Sequence, residues 1–168
     1  ARNDNHGGNM LGRMQAFLDC WMEQARRYKL SSEIVIVEWN PPADRPRLKD
    51  ALRWPADLPC AIRFVEVPKE VHARFPHAEA IPLHQMIAKN AGIRRARGEF
   101  VLLTNLDIIF SPDLMRFLAS GALRHGAMYR IDRCDIASNL PENGSPDDLL
   151  RFSERNVLRI FGRETGSP

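Results

Sequence analysis

The sequence is short of the residues that carry metal, disulfide or membrane chemistry. Its three cysteines, Cys20, Cys60 and Cys134, lie far apart with no Cys-x-x-Cys pair. That excludes a zinc ribbon and a disulfide framework, and fits reduced thiols in a cytoplasmic protein. No apolar run approaches the roughly 20 residues that a membrane span requires, and no signal-peptide pattern opens the chain. Charge of one sign is also scarce. The formal net charge is only +3 over 168 residues, and the basic residues form no long stripe with interleaved aromatics. Nucleic acid is therefore not an expected partner, and a phosphate-bearing small molecule fits better. The glycines are few, and Gly7, Gly8 and Gly12 have neither the spacing of a dinucleotide fingerprint nor a following Lys-Ser or Lys-Thr. They suit a turn and cap, with ligand contact as the alternative.

What is present is ordinary globular material: 44% hydrophobic and 27% charged residues, enough for one domain with a single core. After the polar turn Arg2 to Gly8, the residues Leu11, Met14, Phe17, Leu18, Trp21, Met22, Ala25 and Tyr28 recur at steps of three and four. That spacing predicts an amphipathic helix with a broad buried face. Ile34 to Val37 is a β-branched run closed by Glu38-Trp39-Asn40-Pro41-Pro42, and Ile62 to Val67 ends at Pro68. Both read as strands. Between them, residues 43–60 read as a loop with a short helix. His72, His77 and His84 lack the i, i+4 spacing of a helical zinc pair, and read as exposed loop histidines near a site rim.

The stretch from Gln85 to Phe110 organises the rest. A helix with Ala88, Gly92 and Ala96 on one stripe and Lys89, Asn90, Arg94 and Arg97 on its polar side runs into Gly98. The apolar run Phe100 to Leu103 then predicts a strand buried on both faces, as parallel strands are, and such sheets place ligands beyond their strands' carboxyl ends. Asn105 and Asp107 stand at that end. In extended backbone they share a face, which makes them a corner for Mg²⁺ or Mn²⁺ whose other ligands come from a diphosphate and water. Lys89 and Arg94 suit the same diphosphate; a merely solvated face is the alternative. Ser111-Pro112-Asp113 predicts a capped helix start, with Leu114, Phe117 and Leu118 buried. Residues 127–135 predict a strand, 138–148 a mobile loop, and Leu149 to Phe161 a last short helix.

The segment from Ala88 to Asp107 resembles the central block of glycosyltransferases of the GT-A fold, family 2-like. Its Lys89-Asn90-Ala91-Gly92-Ile93-Arg94-Arg95-Ala96-Arg97-Gly98-Glu99 is similar to their Arg/Lys-Asn-x-Gly-Ile-x-x-Ala-x-Gly-Glu run, which leads into an Asp-x-Asp metal motif. Here Asn105 replaces the first Asp. The resemblance implies an α/β fold with a GT-A-like open, mostly parallel twisted sheet flanked by helices. It also implies that a first strand before Ala1 and the acceptor elements after the last residues are lacking. Residues 1–137 would form the nucleotide-sugar-binding domain, and 138–168 a loop and short helix beginning the acceptor region.

By the same resemblance, the function is metal-assisted transfer of a sugar from a nucleotide-diphosphate sugar to a saccharide, lipid or protein acceptor. Asp107 would hold the metal beside Asn105. Arg2, Asn3 and above all Asp4 would meet the nucleoside, and Glu38 the uracil or ribose, with a solvent-facing strand end as the alternative. Asp132 and Asp135 are candidates for the acceptor base, or simply pair with Arg130 and Arg133. A non-catalytic nucleotide- or sugar-binding domain and a nucleotidyltransferase are the rival readings, since fold does not fix function.

Overall fold

The computed structural model describes residues 1–141 and 144–160, with backbone also at 163–164. The elements follow in the order α1 (Met10–Arg27), β1 (Glu33–Trp39), α2 (Leu48–Ala51), β2 (Ala61–Val67), α3 (Lys69–His72) and α4 (Gln85–Ile93). They continue with α5 (Pro112–Ala119), β3 (Cys134–Ile136), α6 (Pro146–Arg155), β4 (Val157–Ile160) and β5 (Arg163–Glu164).

The apolar spacing of α1 works as its sequence requires. Met14, Phe17, Leu18, Trp21, Met22 and Ala25 are buried together with Ile36, Leu48, Leu52, Cys60, Phe110 and Met115 in the main core. Trp21 and Phe17 meet the Phe110 ring edge-on, at centroid distances of 5.4 and 6.0 Å. Gln24, fully buried in the same helix, donates to the Phe110 carbonyl at 2.9 Å. That bond fixes where the chain re-enters the core after the motif region.

β1 and β2 pair in parallel over their whole length, Glu33 opposite Ala61 through Trp39 opposite Val67. Both faces of the pair are covered. Ile34, Ile36, Ile62 and Phe64 join the core under α1, whereas Val37, Trp39, Val65 and Val67 pack under α4 with Ala88, Ile87 and Ala91. The small-residue stripe has the packing role its spacing suggests: a Cβ on Gly92 would sit 3.3 Å from Val37.

Four contacts give the direction of α4. Asn40, just past β1, donates to the Pro82 carbonyl ahead of the helix at 3.3 Å. At the other end the Arg63 guanidinium meets the Arg95 carbonyl, and the Arg97 amide meets Glu33 at the first residue of β1. The chain then returns, and Asn105 accepts from Gln85 at the first turn of α4. Helix α4 is thus antiparallel to β1, and residues 98–105 run back in β1's own direction.

The expected buried strand at Phe100 to Leu103 does not form. These four side chains are 38–51% exposed, and the segment joins neither sheet. No neighbouring strand offers it a ladder, so its apolar character goes unused in the described residues. The strand expected over 127–135 is likewise confined to Cys134–Ile136, with Met128 and Ile131 exposed.

Helix α5 starts as its sequence dictates: the Ser111 hydroxyl accepts from the Leu114 amide, with Pro112 in the first turn. Met115 is its fully buried residue, while Phe117 is 38% exposed, contrary to expectation. Part of the expected 138–148 loop is instead the start of α6. The Ser145 and Asp148 side chains cap each other's backbone there in a capping box. Leu149 and Leu150 of α6 pack on Ala16 and Cys20 of α1, and β4 pairs antiparallel with β3. Helix α6 is thereby held against α1. The expected helix over Leu149 to Phe161 ends at Arg155, and Phe161 lies outside the described residues.

Candidate functional site

The carboxyl ends of the parallel strands gather most of the polar residues singled out by the sequence. Arg2 donates from Nε to the Asn40 carbonyl at 2.7 Å and from Nη1 to Asp4 at 2.8 Å. Asp4 in turn accepts from the His6 amide at 3.1 Å. Burial alone would push the Asp4 carboxyl up, but the Arg2 guanidinium and the His6 amide together hold it below the ordinary range. The turn continues through Gly7 and Gly8, both at positive φ, into α1.

Arg13, in the first turn of α1, is the residue that sequence reasoning missed. Its Nη1 donates to Asp107 Oδ2 at 3.2 Å, and its Nη2 to the His6 carbonyl at 2.6 Å. A Cβ on Gly7 would stand 3.0 Å from the same guanidinium. Gly7 is required for its left-handed backbone, and a side chain there would also press on the end of Arg13. Arg13 is one of many helix arginines in pattern, so no local signal marks it. Only the fold brings it to Asp107, 94 positions along the chain.

Asn105 and Asp107 do stand where expected, past a segment running with β1, but each is engaged. Asn105 Oδ1 accepts from Gln85 at 2.8 Å, and Asp107 is ion-paired with Arg13. Among the described residues no group of three or more His, Cys, Asp and Glu could hold a metal ion. The residues present therefore form no ready divalent-ion site: one carboxylate, already facing a guanidinium, is too poor a ligand set.

One broad open basin is lined by Arg2, Asp4, Lys89, Asn105, Asp107, Asp132 and Asp135, together with Arg13 and Gln85. Lys89 is partly exposed in the middle of α4. Three expected contacts fall outside the basin lining. Arg94 caps the far end of α4, nine residues from Gln85 and so about 13 Å along the axis. It cannot share a small pocket with Asp107. The reason is the helix direction, which carries its last turn to the amino ends of the strands.

Asn3 is 2% exposed and donates to the Pro46 carbonyl at 3.0 Å. Glu38 is equally buried, and both its oxygens accept from the Leu48 amide, at 3.0 and 3.1 Å, at the start of α2. Burial pushes the Glu38 carboxyl up, and the Leu48 amide offsets this in part. Neither side chain is free to meet a nucleoside; both hold the 40–52 loop against the sheet.

Asp132 and Asp135 face arginines, Arg130 at 3.6 Å and Arg133 at 3.0 Å. Of the two readings open for them, pairing is the arrangement observed. His77 is exposed as expected, but His72 and His84 are not. His72 is buried, taking a hydrogen bond at Nδ1 from the Trp39 indole at 2.8 Å, with Nε2 2.9 Å from the Ala78 carbonyl. His84 packs against both rings. This is structural packing at the amino end of α4.

No protein-family model, curated protein or solved structure matches the chain. Among the described residues no helix is long and apolar enough to cross a membrane.

Proposed function

We propose that the mouth of the basin binds a nucleotide-diphosphate sugar and that the protein is a glycosyltransferase. One observation carries the reading: a cluster of polar groups from three separate stretches converges beyond the carboxyl ends of parallel strands. These are Arg2 and Asp4 of the first turn, Arg13 of α1, and Asn105 and Asp107 after the 98–105 return. Open parallel sheets take their ligands at this place. The resemblance of the Lys89 to Asp107 block to GT-A enzymes supports the same choice.

In this reading Arg13 and Lys89 supply the positive charge for the diphosphate. A guanidinium offers two parallel donors to phosphate oxygens, and Arg13 already directs one of its donors, Nη1, at the Asp107 carboxylate. Diphosphate and Asp107 compete for Arg13. Negative charge develops on the leaving nucleoside diphosphate as the bond to the sugar breaks, and fixed cations placed there stabilise it. A divalent ion, Mn²⁺ or Mg²⁺, is proposed only as a companion of the diphosphate, with Asp107 as its protein ligand. The acceptor, whether saccharide, lipid or protein, is not assigned to particular residues.

The test is a screen of nucleotide-diphosphate sugars for nucleoside diphosphate release, with and without Mn²⁺, on the wild type and Arg13→Ala. Release from one donor that Arg13→Ala lowers at least tenfold supports transferase chemistry. Tight donor binding with no release supports the non-catalytic alternative.

A further inference from the structure

The side of the parallel pair that lies under α4 is closed by an aromatic cluster at its carboxyl end. Trp39 ends β1, and the rings of His72, Phe75 and His84 lie around it at centroid distances of 6.1, 5.4 and 6.0 Å. All three belong to the stretch that joins β2 to α4.

Hydrogen bonding fixes where the proton of one ring sits. An indole N–H can only donate, so His72 Nδ1, 2.8 Å from Trp39 Nε1, is the acceptor and carries no proton. The imidazole proton is therefore on Nε2, which donates to the Ala78 carbonyl at 2.9 Å. His72 is 4% exposed and has both nitrogens engaged. A second proton has only Nδ1 to go to. Two N–H groups would then face each other, the indole would lose its acceptor, and a cation would be buried.

No carboxylate is placed to receive that cation. On Trp39's side of the strands, Glu33 and Arg63 pair with each other at the far end. Glu38 and Glu66 alternate to the opposite side, where they meet the Leu48 amide and Arg47. Past the strand end Arg2 is paired with Asp4, and Lys89 of α4 lines the basin. Within the joining stretch, Lys69, Glu70, Arg74, His77 and Glu79 are exposed. The titratable ring that does face His72 is His84, 5.3 Å away, and its Nε2 is itself buried without a partner among the described residues.

The same stretch carries the entrance of α4. The Pro82 carbonyl accepts from Asn40, next to Trp39, and Gln85 in the first turn of the helix donates to Asn105 at the basin. We propose that His72 is a proton-operated latch. With Nδ1 bare it pins residues 73–84 to Trp39; a proton on Nδ1 breaks the bond, releases the stretch and loosens Gln85 from Asn105. Opening is local, because the Trp39 cluster is separate from the main core around α1. The inference concerns the packing beside the basin and stands whether or not a nucleotide binds there.

The test is NMR of the wild-type chain from about pH 7.5 to 5, a range in which histidines titrate. It reads the His72 ring nitrogens, the Trp39 indole N–H, and the exchange protection of the Phe75 and Ile81 amides, which donate within the stretch; the α1 amides serve as reference. The expected result is a single acid step. In it the ring gains its Nδ1 proton, the indole resonance moves, and protection of the two amides falls roughly tenfold while α1 keeps its own. His72→Gln, which offers an acceptor and a donor but does not titrate, removes the step, and His84→Phe retains it. Protonation of His72 that leaves the indole and both amides unchanged overturns the proposal. So does a step that survives His72→Gln, vanishes in His84→Phe or takes α1 with it, and so does the absence of any step in the wild type. If a variant fails to fold, the wild-type spectra decide alone, because ring, indole and amides must change together.

Discussion

Arg13 Nη1 lies 3.2 Å from Asp107 Oδ2, so the first turn of α1 is tied directly to the end of the motif region 94 positions later. With side chains 36% and 24% exposed, this is a half-screened pair, and its net contribution is small. A double-mutant cycle of Arg13→Ala and Asp107→Ala in urea unfolding is expected to give a coupling of about 0.5–1 kcal/mol, shrinking in high salt. No coupling would mean that the two groups do not meet in solution.

Glu38 holds the loop that carries α2. Glu38→Ala leaves the Leu48 amide buried without an acceptor, at a cost of about 1–3 kcal/mol. Glu38→Gln keeps an acceptor and loses less. Because burial raises the folded carboxyl above its ordinary pKa, the folded state binds the proton more tightly than the unfolded chain. Stability from this group therefore falls as pH rises from the ordinary carboxylate pKa through the raised one. The Gln variant flattens that part of the profile, as urea unfolding from pH 4 to 7 would show.

The amino group of Ala1 has the opposite slope. Burial lowers its pKa from 8.0 to about 6, against the pull of Glu38 and Asp4. Between those values the unfolded chain holds more protons, so stability rises with pH, by on the order of 2–3 kcal/mol from pH 6 to 8. Acetylating Ala1 keeps the N–H donor for Val37 and removes the titration. The difference between the two chains' pH profiles isolates the effect; identical slopes would place the amino group in water.

Trp39 and His72 make a buried pair beneath α4, indole to Nδ1 at 2.8 Å. Trp39→Phe keeps most of the apolar contact and leaves His72 Nδ1 without its donor. The expected loss is about 1–3 kcal/mol in urea unfolding. A His72→Phe, Trp39→Phe double variant recovers only part of it: the orphaned Nδ1 is gone, but the part-buried Ala78 carbonyl loses its donor from His72.

Much of this was legible in the sequence. The three- and four-residue steps from Leu11 to Tyr28 became α1, and the β-branched runs became β1 and β2 with boundaries shifted by a residue or two. Ser111-Pro112 capped a helix as such sequences do. The failures share one cause: pattern reports what a segment prefers, not whether a neighbour is there to receive it. Phe100 to Leu103 has the composition of a buried parallel strand and lies exposed because no strand among the described residues pairs with it. Glu38 and Asn3 read as ligand contacts through the family resemblance, yet the 40–52 loop folds over both. Arg94 shares a face with Lys89 in sequence, but the direction of α4 sends it to the wrong end of the sheet. Arg13 carried no local signal at all.

The most direct test of the proposed site is calorimetric titration of uridine and guanosine diphosphate into the wild type, Arg13→Ala and Asp107→Ala, each with and without Mn²⁺. The account predicts binding of at least one diphosphate to the wild type. Arg13→Ala weakens it about ten- to a hundredfold through loss of a charge-assisted contact, and Asp107→Ala abolishes whatever part depends on Mn²⁺. Absence of binding by either diphosphate under both conditions, in protein shown to be folded, would contradict it.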